Sequence, residues 1–450
     1  MPAVLPRRAP VSGRGHAVVI GGGMAGVLAA WPLRGYAEII TVIERDTYPA
    51  EPAFRPGMPQ ARHAHIFLEG GHRALEGLMP GIRAQLEVAG ATEVRMSREL
   101  RWLASHGWLA DHDTALTGLS ATRPLLDHVV RARVAGEASV RFLAGHDVIG
   151  LLGSRSSVSG VRLRPRGEGA VTTELSAELV VDASGRRSML PAWLAELGCP
   201  RIRETRIDAG IAYSSRLFHR PAGDFEWRAV YLQAHAPDQP TTGALMPVEG
   251  NRWLVSLGGM RGAEPRQGTE GFNELLARLR DPILRDALAD AEPAGRVSGF
   301  RPGSSVRRHY TSAATPDGVV ALGDAATAFN PVYAQGLTAA VLAAQALRRA
   351  VLRHRGIEYA VARAARRDIA VATRIAWLLS TGEDARFPAT IGAHPGLLTR
   401  AQHRLLDRVL QRATTDATVT AAAQQVISMA ASPAALLQPA VLGALLRPEH

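Results

Sequence analysis

A short apolar run, His16–Ile20 (HAVVI), empties directly into Gly21-Gly22-Gly23-Met24-Ala25-Gly26 and then into an alanine- and leucine-rich stretch ending near Arg34. A second β-branched run follows at residues 38–44 (EIITVIE). Strand, glycine turn, helix and strand within about thirty residues open a dinucleotide-binding unit of a parallel α/β fold. In the Gly21-x-Gly23-x-x-Gly26 spacing, the first glycine permits the turn and the second lets backbone approach a pyrophosphate. The third lets the helix pack close on the sheet. The helix N-terminus then aims its free amides at the phosphates. Glu44 closes the second strand, eighteen residues past Gly26, where a carboxylate can accept both hydroxyls of an adenosine ribose. A glycine-rich connector without a ligand is the plainer alternative.

Composition narrows the chemistry. All 52 of the Lys+Arg positions are arginine. That removes a Schiff-base lysine, a pyridoxal-phosphate anchor and a phosphate loop ending in Lys-Ser/Thr. The net charge of +11 is scattered, with no long basic run and no aromatic interleaving, so no nucleic-acid partner is expected. Cys199 is the only cysteine, which excludes an internal disulfide and a thiolate metal cluster; no metal site is expected. At 450 residues with 46% hydrophobic and 21% charged residues, the chain is built for two or three domains around a large core, not for disorder. The longest candidate for an apolar span, Ala430 to Leu446, is short and broken by Ser432, Pro433, Gln438 and Pro439, so no integral membrane segment is expected. The Pro- and Arg-rich start carries Arg7 and Arg8 without an apolar stretch behind them, so it reads as a flexible tail and the cytoplasm as the location.

The order of elements sorts the chain into segments. Residues 1–14 form the tail and 15–205 the first nucleotide-binding segment. A Pro-, Gly- and Arg-rich loop lies at 49–64, with helical patterns near 72–79 and 123–135 and short β runs between 140 and 181. Residues 206–303 alternate β-type runs with Pro/Gly turns, as a mostly antiparallel sheet domain does. Residues 304–378 return to the nucleotide-binding pattern, and 379–450 are helical. In the returning segment, the run 319–322 ends in Gly323-Asp324, which puts a carboxylate at a strand's C-terminal end, where it can hold ribityl hydroxyls of a flavin. Asn330-Pro331-Val332-Tyr333-Ala334-Gln335-Gly336 then delivers the N-terminus of a long helix, whose amides favour negative charge nearby.

Together with Asp182-Ala183-Ser184-Gly185, these motifs resemble the FAD-dependent monooxygenases of the para-hydroxybenzoate-hydroxylase fold. The stretch Arg55-Pro56-Gly57-Met58-Pro59-Gln60-Ala61-Arg62-His63-Ala64-His65 is similar to the flavin epoxidases of polyether ionophore biosynthesis, the monensin and lasalocid type. Glu44-Arg45-Asp46 before it and Ala121 to Asp127 after it share in that similarity, which spans roughly residues 16–350. The resemblance implies an α/β fold: a Rossmann-like FAD-binding domain, an inserted antiparallel substrate domain and C-terminal helices. It sets Gly21, Gly23, Met24, Ala25 and Gly26 at the pyrophosphate, Glu44 and Arg45 at the adenosine, and Val148 beside the adenine. Arg123 reaches the ribityl-pyrophosphate region and Asp324 the ribityl chain, with Gly323, Pro331, Gly336 and Leu337 completing the cofactor contacts. Gln60, Arg62, His63 and His65 lie on a loop near the flavin ring, and His65 is set against substrate. Trp227, Tyr231, Met246, Trp253 and Phe329 are the candidates for lining an apolar substrate cavity; a plain core role is the alternative for each.

The resemblance further implies O2 as oxidant and an oxygen-transferring reduced flavin, with no side chain as the catalytic group. Epoxidation of alkenes in a large apolar, polyketide-like substrate, as in secondary-metabolite (antibiotic) biosynthesis, is the expected reaction. The sequence departs from the family pattern at one place. The family's mid-chain Asp-Gly pair, aligned on Ser188, is here Ser184-Gly185, with the aspartate displaced to Asp182. That points away from direct NADPH reduction and towards NAD(P)H acting through a separate flavin reductase; a substrate-bearing carrier protein is a further candidate partner. Halogenases of related fold rely on a lysine, which this chain lacks. An aromatic hydroxylase, an isoprenoid double-bond reductase and a flavin-binding scaffold without turnover remain the alternatives.

Overall fold

The computed structural model describes residues 15–167, 169–311 and 314–447; the N-terminal tail expected at 1–14 lies outside them. The strand His16–Ile20 sits at the centre of a five-stranded parallel sheet, between Leu179–Asp182 and Ile39–Glu44. Val319–Ala321 and Val140–Ala144 form its edges. Its strands are apolar on both sides because both sides are covered. The helices Met24–Leu33, Arg123–Ala135 and Gly336–His354 cover one face around Val19, Leu28, Val42, Leu126 and Val341. An antiparallel three-stranded sheet, His146–Gly153, Val158–Pro165 and Thr173–Ser176, covers the other through Leu151, Val161 and Leu163. This is the mixed α/β architecture expected from the sequence.

A seven-stranded sheet stands beside it. Its order is Ser298–Phe300, Ala212–His219, Arg252–Gly259, Thr241–Val248, Ala229–Leu232, Leu100–Ala104 and Gly107–Trp108. Neighbours run antiparallel except Ala229–Leu232 beside Leu100–Ala104, which are parallel. The last two strands come from residues read as part of the first nucleotide-binding segment, so the sheet is wider than residues 206–303 alone. Side chains alternate across it. Trp253, Val255 and Leu257 point to one face, where the helices Gly268–Ala277 and Ile283–Ala287 cover them with Phe272, Leu275 and Leu284. Tyr231, Ala244, Met246 and Ser256 point to the other, towards the nucleotide-binding half. Helices from Arg374–Asp384 to Pro439–Leu445 close the far end.

Candidate functional site

One continuous cavity of about 1730 Å³ runs between the two sheets and out under the C-terminal helices. A typical small-ligand pocket is about 300–1,000 Å³, so this space admits more than one small molecule. Its wall includes Gly21, Gly23, Met24, Ala25, Glu44, Arg45 and Val148, then Gln60, His65, Arg123, Gly323, Asp324, Pro331, Gly336 and Leu337, and also Tyr231, Met246 and Phe329.

The nucleotide end is built by backbone. Gly21 has φ +94°, and a Cβ there would stand 2.7 Å from the Ala183 carbonyl oxygen, so only glycine turns the chain between those strands. At Gly26 a Cβ would come 1.8 Å from the Gly21 carbonyl oxygen, so the helix rests on the turn itself. Gly26 does not face the cavity. The helix Met24–Leu33 has no side-chain cap, which leaves its first amides without intrahelical partners at the cavity wall. Gly336–His354 likewise starts at the cavity without a side-chain cap. The Ala334 before it holds φ +54°, a left-handed conformation rare for alanine, in the turn that aims this helix.

Glu44 is buried and heavily engaged. It accepts from the Gly22 amide at 3.0 Å and the Asp46 amide at 3.0 Å, and pairs with Arg55 at 3.2 Å. Asp324 faces the cavity with its carboxylate 3.3 Å from the Arg186 Nε. Arg186 is in turn anchored on the carbonyls of Ser304 (3.1 Å) and Phe329. Asp182, by contrast, is fully buried and accepts from the Ser184 amide, the Ser184 hydroxyl and the Ser188 hydroxyl. Burial raises its carboxyl above the usual range, and it presents nothing to the cavity.

The loop histidines are neutral. Burial pushes His65 down to about 3 and His63 down to about 4. The His65 Nδ1 lies 2.7 Å from the His63 carbonyl, which can only accept, so Nδ1 carries the proton and Nε2 is an acceptor. His63 bonds Ser215 Oγ at 2.7 Å and stacks on Phe300. Ser215 donates to Ser256, which also accepts the Ala64 amide at 2.7 Å. The loop is thus stitched to the wide sheet.

Behind the turn Asn330–Tyr333 is a group that the sequence did not reveal. Asp384 accepts from Asn330 Nδ2 at 2.7 Å and from the Tyr333 hydroxyl at 3.0 Å, and Tyr213 donates to Asn330 Oδ1 at 3.3 Å. Burial, with Glu383 and Asp208 nearby, pushes its carboxyl up to about 7. Arg186 directly follows the Asp182–Gly185 motif, and that adjacency is its signal in the sequence.

Besides Gly26, three expected residues stand elsewhere. Trp253 is buried on the opposite face of the sheet, because alternation sends it there with Val255 and Leu257. Trp227 stacks on it at 5.8 Å, with Phe225 at 5.0 Å, so both tryptophans belong to the core and not to the cavity wall. Arg62 points outward and lies over the Phe54 ring at 4.3 Å, away from the cavity.

A family model described as FAD binding domain matches residues 15–356. The chain belongs to the FAD binding domain family. Protein Rv3254 of Mycobacterium tuberculosis is 31% identical over 411 residues, covering 89% of this chain and 86% of that protein. Among solved structures, the flavin-dependent brominase Bmp2 superposes with a TM-score of 0.65 at 15% identity, covering 92% of this chain and 93% of that one. The p-nitrophenol 4-monooxygenase PnpA from Pseudomonas putida gives a TM-score of 0.63 at 17% identity over 92% and 98% of the two chains. At such identities these structures share the fold, which is common to oxygenating and halogenating flavoproteins.

As a member of this family the protein takes FAD, and its geometry fits that cofactor. Two uncapped helix N-termini face the cavity, the glycine cradle is one that a Cβ would fill, and the carboxylates Glu44 and Asp324 both line the cavity. Among the described residues, no group of three His, Cys, Asp or Glu side chains is placed to hold a metal ion. No helix among them is long and apolar enough to cross a membrane.

Proposed function

We propose that this protein is an FAD-dependent monooxygenase that epoxidises alkenes of a large apolar, polyketide-like substrate. The observation that carries this reading is the size and lining of the large cavity. Its volume of about 1730 Å³ is lined both by the glycine turn and by apolar residues such as Met246, Phe329, Leu379 and Leu406. Bound FAD, reduced and exposed to O2, supplies an electrophilic oxygen. The chain's own residues do the rest. Gly21, Gly23, Met24 and Ala25 would receive the pyrophosphate, Glu44, Arg45 and Val148 the adenosine, and Arg123 and Asp324 the ribityl chain. The turn Pro331–Gly336 and Leu337 would support the ring. Tyr231, Met246 and Phe329 would hold the alkene and keep water out, which is the main service a protein offers to such a reaction. The lack of lysine supports oxygenation over halogenation.

Asp182 is occupied by two serines, which supports a reductant delivered by a separate flavin reductase. A carrier protein is a further candidate partner. A second reading, hydroxylation of an aromatic ring, is favoured by one observation: the neutral His65 of the cavity wall keeps an acceptor nitrogen that suits a phenol hydroxyl. The test is a visible spectrum of the pure protein before and after reduction and exposure to O2, with either a polyene or a phenol present. Alkene consumption with product mass raised by one oxygen and an epoxide by NMR is the expected result. Oxygenation of the phenol alone would replace it by the second reading, and a protein that cannot take up FAD would end both.

A further inference from the structure

The helices Arg374–Asp384 and Leu397–Arg412 and the segment Pro433–Leu437 line the cavity with residues that are also exposed to solvent. Beside polar residues such as Gln402 and His403, three exposed leucines stand on this part of the wall. Leu378 is 51% exposed, Leu405 41% and Leu437 58%, and all three also line the cavity. Beside them, Leu397 is 82% exposed at the start of its helix. Single exposed leucines mean little, but a cluster beside a cavity marks a contact surface.

Charge says what it contacts. At 100° per residue, Leu397, Arg400, Arg404 and Arg408 fall on one outward stripe of the helix Leu397–Arg412, while Leu406 and Leu410 face the cavity. None of these three arginines, nor Arg374 one turn before Leu378, has an acidic ion-pair partner among the described residues. The helix's only acid, Asp407, is taken by Arg386 at 2.7 Å. Exposed leucines set among unpaired arginines on one face are the composition of a helix that lies in a lipid interface.

We propose that this face docks on an anionic lipid surface, with the leucine-bearing cavity wall against the bilayer. Docking rests on the surface alone. Its purpose, passage of an apolar substrate from lipid into the cavity without crossing water, rests on the function proposed above. The arginines would meet lipid phosphates, and Leu378, Leu397, Leu405 and Leu437 would enter the acyl boundary.

The test is co-sedimentation of the full-length FAD-loaded protein with vesicles of phosphatidylcholine, with and without phosphatidylglycerol, and no substrate. Binding is expected to the phosphatidylglycerol vesicles and to weaken as salt rises. The triple variant Arg400→Gln, Arg404→Gln, Arg408→Gln should bind on the order of a hundredfold more weakly. Leu397→Gln should weaken binding at every salt concentration. Unchanged flavin absorbance and circular dichroism in both variants keep a folding defect apart from a docking defect. A parent protein that stays in the supernatant, or a triple variant that binds as tightly as the parent, overturns the proposal. So does arginine-dependent capture of an acidic carrier protein without vesicle binding. Because no turnover is read, a protein that binds vesicles yet oxidises no alkene would keep the docking and lose the epoxidase.

Discussion

The Asp384 carboxylate accepts two hydrogen bonds and, among the described residues, forms no ion pair. Unfolded, its carboxyl ionises near 3.8; folded, at about 7. Between those values the unfolded chain has released a proton that the native state keeps. Stability therefore falls as pH rises through that window, by up to about 4 kcal/mol, and stays lower above it. Asp384→Asn is expected to raise Tm above the parent's at about pH 8 and to change it little at about pH 4. Equal effects at both values would show that the carboxyl ionises normally. Asp324 is a different kind of carboxylate, at the cavity and balanced by Arg186. If it holds the ribityl chain, Asp324→Ala loses charge-assisted hydrogen bonds of about 1.5–3 kcal/mol, and FAD affinity drops roughly 10- to 100-fold. Flavin absorbance after desalting reads this directly. Full occupancy would remove Asp324 from the site.

Among elements, the helix Met24–Leu33 and the sheet strand Arg252–Gly259 give contrasting cases. Gly26→Ala would drive a methyl into the Gly21 carbonyl oxygen and lift the helix from its turn. FAD retention should fall although position 26 does not face the cavity, a result equilibrium dialysis would show. Trp253→Ala empties a site of 2% exposure in the core and should cost about 3–5 kcal/mol, read as a lower Tm. Its FAD affinity, measured below the transition, should stay within about twofold, since Trp253 lies on the far face. The glycine turn was legible in the sequence because everything that determines it lies within thirty residues. The face of Trp253 was also legible, since it falls with Val255 and Leu257 on one side of the strand and Ser256 on the other. The pairing of Ala229–Leu232 with Leu100–Ala104 was not legible, nor was the meeting of Asp384 with Asn330. Both join distant stretches whose local patterns say nothing of each other.

At the scale of the molecule, the two halves divide the labour between a backbone-built nucleotide end and a side-chain-built apolar end. Asp182 belongs to neither. Its three hydrogen bonds lock the Ser184–Ser188 turn from within. Direct reduction by NADPH is therefore expected to be slow, with the flavin band bleaching over many minutes when the holoprotein and NADPH are mixed anaerobically. A flavin reductase added to the same cuvette should bleach it quickly, and rapid bleaching without one would show that the protein handles NADPH itself.

The parallel join between Leu100–Ala104 and Ala229–Leu232 also has a history within each molecule's synthesis. On the ribosome, the earlier strand emerges long before its neighbour exists, by on the order of ten seconds at ~5–20 residues per second. Throughout that interval the nascent chain carries an unpaired apolar edge, Trp102 and Leu103 included, open to other chains. The wide sheet is completed only once both segments have been made. Slowing translation between the two strands should therefore lower the soluble yield while leaving the finished protein unchanged.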